Sequence, residues 1–587
     1  MTNSRIADIF DEIADLLEFQ GSNPFRVRAY RNGARIIRDL PEPVTAVLGD
    51  EARKLTDIEG IGKDLADKIR TLVETGELKQ HQELLAQVPA TVLDIMRVPG
   101  LGPKKAAALY KELNIVTLDQ LQAACDAEQV RQLKGFGAKT EQTILHGIGI
   151  AAAAHERLYW ATADAVAEDI KQHLTSCPSI ERLELAGSYR RGKETVGDLD
   201  ILVVSRDASE VMKRLAEYPE LADVIGRGET KMSIRTHQGL QVDLRVVPAE
   251  SFGAAWQYFT GSKDHNVIVR GRAKQRGLKI NEYGVYRVDG DKEEYMAGAT
   301  EEDVYATLDL PWFPPELREA RHEFDWAASG ELPELITIDD IRGDLHMHTT
   351  ATDGRGTLDE MVDAARQRGL SYIAITDHSQ RVSMARGLNA ERVLAQWEEI
   401  DALNKRLQGK FRVLKGIECD ILEQGGMDLP DDVLAQADWV LASVHYGQQQ
   451  SRDQITKRIL GAIENPAVTA IAHPTGRLIN RREAYEVDMD AVFSAAAEHG
   501  KLLELNANPA RLDLHDIHCA AAKSHGIPIV INTDAHSTDG LDCMRYGILQ
   551  ARRAGLTKAD VANTRTWPQL QKLISKGRGG RRSSKRP

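Results

Sequence analysis

Several features that would restrict this chain to a special class are scarce in its sequence. Its 587 residues include only five cysteines, none of them in a C-x-x-C pair, so neither a disulfide framework nor a thiolate zinc site is expected. No apolar run reaches the roughly 18 residues that a membrane-spanning helix needs. The N-terminal segment also lacks a signal-peptide pattern. We therefore expect a protein of a reducing compartment without a membrane partner.

An excess of positive charge is also missing, because the formal net charge at pH 7 is -13. A negative total does not exclude nucleic-acid binding, because phosphate binding depends on local patches of charge rather than on the total. The segment 576–587, KGRGGRRSSKRP, holds six basic residues and no acid. This basic tail is either a disordered, solubilising end or a phosphate-binding segment.

The length predicts about three to five domains at roughly 100–200 residues each. Apolar residues at helical spacing and glycine turns fill residues 1–150, and β-rich runs follow to about 315. From about 340, short apolar strands alternate with helical segments, a pattern typical of a parallel barrel or sheet.

The pattern apolar-x-Gly-apolar-Gly, followed by a helix, occurs three times in the helical region. The copies are IEGIGKDLADKI (58–69), VPGLGPKKAAAL (98–109) and LKGFGAKTEQTI (133–144). Such a turn points backbone N–H groups outward at a helix N-terminus, where a phosphate oxygen binds. One copy is as readily a plain helix-helix turn, whereas three resemble helix-hairpin-helix motifs, which grip DNA phosphates. The predicted DNA-binding residues are Gly60, Gly62, Lys63, Gly100, Gly102, Lys104, Gly135 and Gly137.

An acidic pair follows a Gly-Ser turn and a basic run in GSYRRGKETVGDLDILV. Because alternate side chains of a strand share a face, Asp198 and Asp200 point together while Leu199 enters the core. A third acid, Asp243, lies in a similar strand, QVDLRVV. Three convergent carboxylates predict a Mg²⁺ site, where two ions could activate a hydroxyl and stabilise a departing pyrophosphate. The alternative is a solvent-facing acidic pair at a strand edge.

These segments, with YFTGSKDHNVIVRGRA, resemble the palm and thumb of a family X DNA polymerase, related to DNA polymerase beta. The resemblance implies that Asp198, Asp200 and Asp243 are catalytic and bind two Mg²⁺ ions. It implies dNTPs and gapped or primer-template DNA as substrates. It also implies nucleotide-binding residues, namely Gly187, Ser188, Arg191, Gly197, Tyr258, Phe259, Gly261, Asn266 and Arg270.

The implied roles differ along that set. Ser188 and Arg191 would contact the triphosphate. The sugar pocket would be lined by Tyr258, Phe259 and Gly261, which would exclude a 2′-hydroxyl. Asn266 and Arg270 would face the nascent pair and the template. Two positions depart from the beta enzyme: Lys263 replaces an aspartate near the base, and Gln241 replaces an arginine beside the third carboxylate.

The resemblance also reaches the first hairpin helix. Lys68 matches a lysine that forms a Schiff base with 5′-deoxyribose phosphate in the beta enzyme, and Tyr30 matches a residue of that pocket. An amine attacks only when neutral, so we expect Arg28, Arg31 or Lys63 to lower the pKa of Lys68 by repulsion. The alternative is a solvated surface lysine.

The C-terminal part carries histidines and acids at the ends of predicted strands, where parallel barrels assemble active sites. Nine nitrogen and oxygen donors without thiolates suit Mn²⁺, Zn²⁺ or Fe²⁺ in a cluster that polarises a phosphodiester. The predicted ligands are His346, His348, Asp353, His378, Glu418, His445, His473, Asp534 and His536. The pattern resembles a PHP (polymerase and histidinol phosphatase) domain, a distorted seven-stranded βα barrel, which implies up to three Mn²⁺ or Zn²⁺ ions.

Together the resemblances imply a multidomain chain. The implied domains are an 8-kDa-like helical DNA-binding domain with the first hairpin (1–85), a second helix-hairpin-helix domain (86–153), an α/β nucleotidyltransferase palm (154–260), a small α/β thumb (261–316), a linker (317–339), a PHP phosphoesterase domain (340–575) and the basic tail (576–587).

The implied function is that of a monomeric DNA-repair polymerase of the bacterial cytoplasm, associated with the nucleoid. It would fill short gaps and carry a separate manganese-dependent 3′→5′ exonuclease, with action on abasic sites and blocked 3′ ends also in range. One alternative is a metal-dependent phosphoesterase recruited to DNA by a non-polymerising front half. The other is a non-catalytic scaffold for DNA ends.

Overall fold

A computed structural model describes residues 3–38, 40, 44–49, 53–58, 60–88, 91–96, 98, 101, 103–138, 140–145, 157–290 and 292–578. The predicted sites Gly100 and Gly102, and the basic tail beyond residue 578, lie outside the described residues. The chain divides into two compact units, Met1–Glu156 and Arg157–Pro587.

The described part of the first unit is helical. Its α-helices are α1 (Asn3–Phe19), α2 (Pro24–Arg38), α3 (Val44–Gly49), α4 (Lys63–Thr75), α5 (Lys79–Gln87), α6 (Val92–Met96), α7 (Pro103–Leu113) and α8 (Leu118–Asp126). Apolar residues three and four apart on α1, such as Ile6, Phe10 and Ile13, are fully buried. Phe10 meets Tyr30 of α2 edge to face, with ring centroids 5.5 Å apart. Among the described residues, Gly60, Gly62, Gly135 and Gly137 lie at exposed turns of this helical unit.

The second unit begins with a mixed sheet. Its elements are β1 (Leu158–Tyr159), α9 (Trp160–Thr175), β2 (Ile180–Leu185), α10 (Gly187–Arg190), β3 (Thr195–Val196), β4 (Asp198–Ser205), α11 (Ala208–Ala216), β5 (Leu221–Arg227), β6 (Lys231–Thr236) and β7 (Gln241–Val246). Five strands form one sheet in the order β2-β4-β7-β6-β5, in which β4 and β7 are parallel and the other pairs antiparallel. The parallel pair at its centre is where the acidic motifs lie.

A small α/β segment follows the sheet. It consists of α12 (Phe252–Thr260), α13 (Lys263–Gln275), β8 (Leu278–Asn281), β9 (Gly284–Asp289), β10 (Lys292–Ala297), α14 (Glu301–Ala306) and α15 (Glu323–Ser329). The three strands form an antiparallel sheet. Gly253 of α12 packs so closely on the backbone of Thr300 that a Cβ there would lie 2.1 Å from the Thr300 carbonyl carbon. This contact holds α12, the end of which carries the YFTGS motif, against the small sheet.

The rest of the second unit is a barrel. Its elements are β11 (Gly343–Asp344), α16 (Leu358–Gln367), β12 (Tyr372–Ile375), α17 (Ala390–Leu407), β13 (Arg412–Asp420), α18 (Asp431–Leu434), β14 (Trp439–Ser443), α19 (Arg452–Glu464), β15 (Ala470–Ile471), α20 (Met489–His499), β16 (Leu502–Asn506), α21 (Asp516–Ser524), β17 (Ile529–Asn532), α22 (Met544–Arg553) and α23 (Trp567–Arg578).

Seven parallel strands, β11 to β17, lie side by side in chain order. A further parallel bridge between Met347 and Ala535 joins the segment after the first strand to the segment after the last, so the barrel is nearly closed. The strands are buried on both faces, as expected for βα alternation. The predicted fold class is confirmed. No described helix is long and apolar enough to cross a membrane.

Candidate active sites

The three predicted palm carboxylates lie on the two parallel strands at the centre of the five-stranded sheet. The register of β4 and β7 sets Asp200 directly beside Asp243 and Asp198 beside Gln241. Leu199 and Ile201 are fully buried. Alternation therefore keeps the apolar residues in the core and directs the three acids to one face, as the sequence predicts.

Burial and mutual repulsion both disfavour negative charge on this face. Burial, followed by the charges of Asp198 and Asp243, raises the pKa of Asp200 to about 7. The pKa of Asp198 is also raised, by burial and then by Asp243. Carboxylates that resist ionisation beside one another need a counter-charge, and oxygen donors of this kind suit Mg²⁺. The donor set thus fits the divalent cations that the resemblance implies.

Asp243 is held by neutral hydrogen-bond donors. The hydroxyl of Ser233 donates to Oδ1, and Nε2 of Gln241 donates to Oδ2 at 2.8 Å. The ammonium of Lys231 lies 4.0 Å from Oδ1. Gln241, one of the two departures from the beta enzyme, therefore orients the third carboxylate without adding charge.

The Gly-Ser turn lies directly against the carboxylates. Gly187 has φ +64°, and a Cβ at this position would lie 2.3 Å from Oδ2 of Asp200, so only glycine fits. The next residue, Ser188, has a buried hydroxyl without a hydrogen-bond partner. Buried polar groups are rarely left unpaired, so this hydroxyl is suited to a ligand oxygen. Gly197 is similarly tight, since a Cβ there would lie 2.8 Å from Nη1 of Arg157.

Arg191 is fixed by two contacts. Its Nη1 donates to the carbonyl of Thr260 at 2.5 Å, and its Nε donates to Oε1 of Glu319 at 3.1 Å. Thr260 precedes Gly261, which has φ +71°, a backbone conformation that favours glycine. The guanidinium of Arg191 thus connects the Gly-Ser turn, which begins at Gly187, to the end of α12.

Tyr258 and Phe259 pack edge to face at the end of α12, with ring centroids 5.2 Å apart. The guanidinium of Arg245, on the same strand face as Asp243, lies 4.5 Å from the centre of the Phe259 ring. Nδ2 of Asn266 donates to the carbonyl of Tyr258 at 2.8 Å. These contacts bring the predicted sugar-pocket residues to the same edge as the carboxylates.

Two further residues lie on α13. Arg270 is exposed and its Nε donates to the carbonyl of Asn266 at 3.3 Å. Lys263, the other departure from the beta enzyme, is the exposed first residue of this helix.

The nine predicted barrel ligands converge at the C-terminal ends of the barrel strands. Eight of them form three overlapping groups, in each of which the donor atoms lie within 4.8 Å of one another: His348, Asp353, His378 and His536; His346, His348 and Asp534; and His378, Glu418 and His445. The ninth, His473, places Nε2 2.9 Å from Oε1 of Glu418. His348 and His378 each belong to two groups, so the three groups form one continuous cluster of donor atoms.

This donor set fits transition ions. Nε2 of His346 and Nδ1 of His348 are buried and have no hydrogen-bond partner, as expected for nitrogen ligands. Although burial alone would raise it, the pKa of Glu418 is held well below its ordinary value by His445, His378 and His346. The most exposed ligands are Asp353 and His536, with 37% and 38% of the side chain accessible, so the centre opens on their side.

A supporting layer orients the predicted ligands, and its member Glu504 was not selected from the sequence. Glu504 accepts from Nδ1 of His346 at 2.7 Å and from the backbone N–H of His473 at 2.7 Å. Asn506, which follows it on the same face of β16, donates to Asp534 at 3.1 Å. The signal was the alternation in LLELN, which directs Glu504 and Asn506 inward together.

Arg511 was also missed. Its Nε lies 3.5 Å from Oδ2 of Asp534, and 18% of its side chain is exposed, which makes it a cation at the edge of the centre. It lies in a loop without periodicity, so no pattern in the sequence marks it.

In the first unit, the first and third hairpin turns are described. Gly60 and Gly135 have φ +90° and +89°, Gly62 caps α4, and an added Cβ at Gly62 or Gly137 would meet no atom within 4 Å. Lys63 is the first residue of α4, and Lys104 lies in the first turn of α7. Open turns at helix N-termini are the geometry that a phosphate oxygen needs.

One expectation about Lys68 is wrong. The pKa of Lys68 is raised rather than lowered: burial alone would lower it, but hydrogen bonds to Asp64 and Tyr30 outweigh burial. Asp64, one helical turn earlier, pairs with the ammonium, which also lies 5.2 Å from the centre of the Tyr30 ring. An acid within α4, and not the predicted cations, therefore sets the charge of this lysine.

Comparisons with known proteins agree with this geometry. Family models match in chain order: a helix-hairpin-helix domain at 1–78, a SAM-like helix-hairpin-helix tandem at 92–149, a DNA polymerase beta palm at 161–246, a DNA polymerase beta thumb at 255–319 and a PHP domain at 344–508.

Curated relatives separate by coverage. A DNA polymerase/3′-5′ exonuclease PolX of Bacillus subtilis (strain 168) is 40% identical over 578 residues, 98% of this chain and 100% of that protein. A probable phosphatase of Thermoanaerobacter sp. (strain X514) is 30% identical over 232 residues, 38% of this chain and 89% of that protein. A probable phosphatase of Acetivibrio thermocellus is 31% identical over 202 residues, 33% of this chain and 78% of that protein. The full-length match, with hairpins, palm, thumb and barrel in the same order, shows that the chain belongs to the PolX family of family X DNA polymerases with a PHP domain.

Proposed function

We propose that this chain is a DNA-repair polymerase that fills short gaps by template-directed addition of dNTPs and also removes nucleotides from 3′ ends at a separate site. The observation that carries the proposal is the presence of two complete sets of ligand side chains in one unit, an all-carboxylate set on the palm and a histidine-rich set in the barrel. We assign it to the cytoplasm, associated with the nucleoid, as a monomer with the predicted domain boundaries.

At the palm, Asp198, Asp200 and Asp243 would hold two Mg²⁺ ions, which supply positive charge opposite the triphosphate and the departing pyrophosphate. The unpartnered hydroxyl of Ser188 and the fixed guanidinium of Arg191 would bind the triphosphate. Such positioning is the main contribution that a protein makes to phosphoryl transfer.

The pocket formed by Tyr258, Phe259 and Gly261 would face the sugar, because these residues lie at the edge occupied by the carboxylates. Asn266 and Arg270 would approach the nascent pair and the template strand. The exposed cation of Arg270 suits a phosphate or a base edge.

In the barrel, the nine ligands would hold up to three Mn²⁺ or Zn²⁺ ions, which polarise a phosphodiester when bound. Glu504 and Asn506 would keep the ligands in place, and Arg511 would bind a phosphate oxygen next to the scissile bond. We assign the 3′→5′ exonuclease to this centre, with action on abasic sites and blocked 3′ ends as further substrates.

The hairpin glycines with Lys63 and Lys104 would bind the DNA backbone without reading its sequence. Within the same unit we propose a lyase activity for Lys68 on 5′-deoxyribose phosphate. Because Asp64 keeps the ammonium charged, the reaction should require a higher pH, at which Lys68 loses its proton and becomes nucleophilic. Borohydride trapping on a 5′-deoxyribose phosphate end decides this: an adduct with the wild type that is lost in Lys68→Ala supports the lyase, and no adduct overturns it.

The probable phosphatases that match the barrel favour one alternative, a phosphoesterase that the front half recruits to DNA. One primer-extension gel separates the possibilities. The proposal expects longer products with Mg²⁺ and dNTPs and shorter ones with Mn²⁺ alone. Shortening without any extension would support the phosphoesterase alternative. If the primer is neither extended nor shortened, the result would support a non-catalytic scaffold for DNA ends.

A further inference from the structure

A largely buried carboxylate, that of Glu319, lies where the barrel meets the turn formed by residues 187–193 of the palm; 10% of its side chain is exposed. Glu319 follows the thumb, and its Oε1 accepts from Nε of Arg191 at 3.1 Å and from Nη1 of Arg553 at 2.9 Å. The ammonium of Lys193 lies 3.4 Å from the same oxygen. One carboxylate therefore connects two cations of the palm turn to a cation of the barrel.

The barrel cation is Arg553 of helix α22, which lies beside the turn formed by residues 187–193 of the palm. Arg553 also donates to the backbone carbonyl of Arg191 at 2.7 Å, and Gln550 donates to the carbonyl of Gly192 at 2.9 Å. A Cβ at Gly192 would lie 3.3 Å from the side chain of Leu549. Side chains of helix α22 thus contact the backbone of this turn.

Arg553 is itself fixed. Its other nitrogen, Nη2, lies 2.8 Å from Oδ2 of Asp516 on α21, and only 2% of its side chain is exposed. A buried guanidinium held between two carboxylates is restricted to a narrow range of orientations, since both of its terminal nitrogens have partners. The barrel therefore presents a rigid donor to Glu319.

We propose that Arg553 and Glu319 are positioning residues of the polymerase site, through which the barrel domain sets the orientation of Arg191 toward the triphosphate. With Nε on Glu319 and Nη1 on the carbonyl of Thr260, the plane of the Arg191 guanidinium is determined. Loss of Arg553 leaves Glu319 without its barrel partner, so Glu319 turns fully onto Arg191 and competes with the triphosphate. This inference rests on the proposed role of Arg191 in nucleotide binding.

The test is Arg553→Gln, with steady-state dNTP incorporation on a gapped substrate. The KM for dNTP should rise about tenfold, the effect of roughly one charge-assisted hydrogen bond, while kcat changes much less. Exonuclease activity on single-stranded DNA should stay at the wild-type level, because Arg553 contacts none of the barrel ligands among its described partners. Arg553→Lys, which keeps the charge opposite Glu319, should recover most of the affinity.

The neighbouring Arg552 provides a matched control. It lies on the same helix and pairs with Glu316 at 2.7 Å across the same boundary, but its recorded partners do not include Arg191. Arg552→Gln should leave the KM for dNTP unchanged. The inference is overturned if Arg552→Gln raises KM as much as Arg553→Gln does, or if Arg553→Lys recovers none of the affinity. Either result would mean that the substitution weakens the contact between barrel and palm in general.

Two further variants separate this inference from the proposed function. Glu319→Gln keeps the shape and removes the charge, so it decides the question if Arg553→Gln does not fold, and it should also raise KM. Arg191→Ala should raise KM at least as much. If the wild type does not extend primers, the proposed function fails. If Arg191→Ala raises KM but Arg553→Gln and Glu319→Gln stay within about twofold of wild type, only the inference fails.

Discussion

The palm and the barrel both collect carboxylates, yet the same group behaves in opposite ways at the two places. On the palm, burial and neighbouring acids raise the pKa of Asp200 to about 7. In the barrel, the surrounding histidines hold the pKa values of Glu418 and Asp534 well below their ordinary value, in spite of burial. The difference comes from the partners: acids surround Asp200, whereas imidazoles surround the barrel acids.

This difference explains how far each set of ligands is assembled by the protein alone. Barrel donors lie in groups within 4.8 Å of one another, because opposite charges draw imidazoles and carboxylates together. On the palm, Asp243 accepts from the neutral donors Ser233 and Gln241, and the charges of Arg245 and Arg191 offset the burial and repulsion at Asp200 only in part. A divalent cation is therefore needed to complete the palm, whereas the barrel is organised beforehand.

The largest expected effect follows from Asp200→Ala. Removing the acid that lies beside Asp243 leaves each cation with too few ligands. We expect kcat/KM for dNTP incorporation to fall by about a thousandfold or more, since metal ligands contribute directly to the transition state. Single-turnover primer extension measures it. Extension at the wild-type rate would show that the palm assignment is wrong.

A second large effect is expected from His378→Ala. This residue belongs to two of the three donor groups, so its loss removes a donor that either group would use. We expect 3′→5′ degradation to fall by about a hundredfold or more and the bound Mn²⁺ or Zn²⁺ to decrease, because removal of a ligand weakens both binding and activation. Metal analysis of purified protein tests this together with the nuclease assay. If reconstituted wild-type protein binds no transition ion in the barrel, the assignment of a metal centre there is wrong.

These two sets show what the sequence could predict. Strand alternation was enough to bring Asp198, Asp200 and Asp243 to one face, since period two is a local property. Predicted strand ends were likewise enough to select nine residues whose donor atoms the structure brings together.

What escaped prediction depends on contacts between distant segments. Glu319 meets Arg553 across 234 positions of sequence, and no local pattern marks either residue. For Lys68, the sequence suggested nearby cations, whereas α4 itself supplied Asp64 at one helical turn. In both cases the sequence does not reveal which charged side chains lie next to one another in the folded protein.

A smaller effect is expected at the sugar pocket. Because the backbone at Gly261 lies in a conformation that favours glycine and packs beside Arg191, it should leave little room for a 2′-hydroxyl. We expect kcat/KM for a dNTP to exceed that for its rNTP by about tenfold or more, in the range of steric discrimination by a pocket. Phe259→Ala should reduce this ratio. Equal values in the wild type would refute the sugar gate.

The smallest expected effect concerns stability and tests the repulsion on the palm. Asp200 has a folded pKa of about 7, above its ordinary value. Between about pH 4 and pH 7 the folded protein therefore keeps a proton that the unfolded chain releases, and stability falls as pH rises through this range. Asp200→Asn removes the charge and keeps the shape. In EDTA at pH 8 its unfolding midpoint should exceed that of the wild type by about 2–4 °C.

At pH 4 that advantage should disappear, because Asp200 is then protonated in the folded wild type. Added Mg²⁺ at pH 8 should narrow the gap, since it binds and stabilises the wild-type palm. Thermal unfolding followed by calorimetry at both pH values provides the comparison. Identical midpoints for the two proteins at pH 8 in EDTA would mean that the carboxylates do not repel one another as described.

The central claim is that the two centres are separate, and crossed activities test it most directly. Wild type, Asp200→Ala and His346→Ala are compared on one 5′-labelled primer, with degradation measured for the palm variant and extension for the barrel variant. We expect Asp200→Ala to degrade and His346→Ala to extend at rates within about twofold of wild type, because no ligand is shared between the two sets. Loss of both activities in either variant would contradict the account.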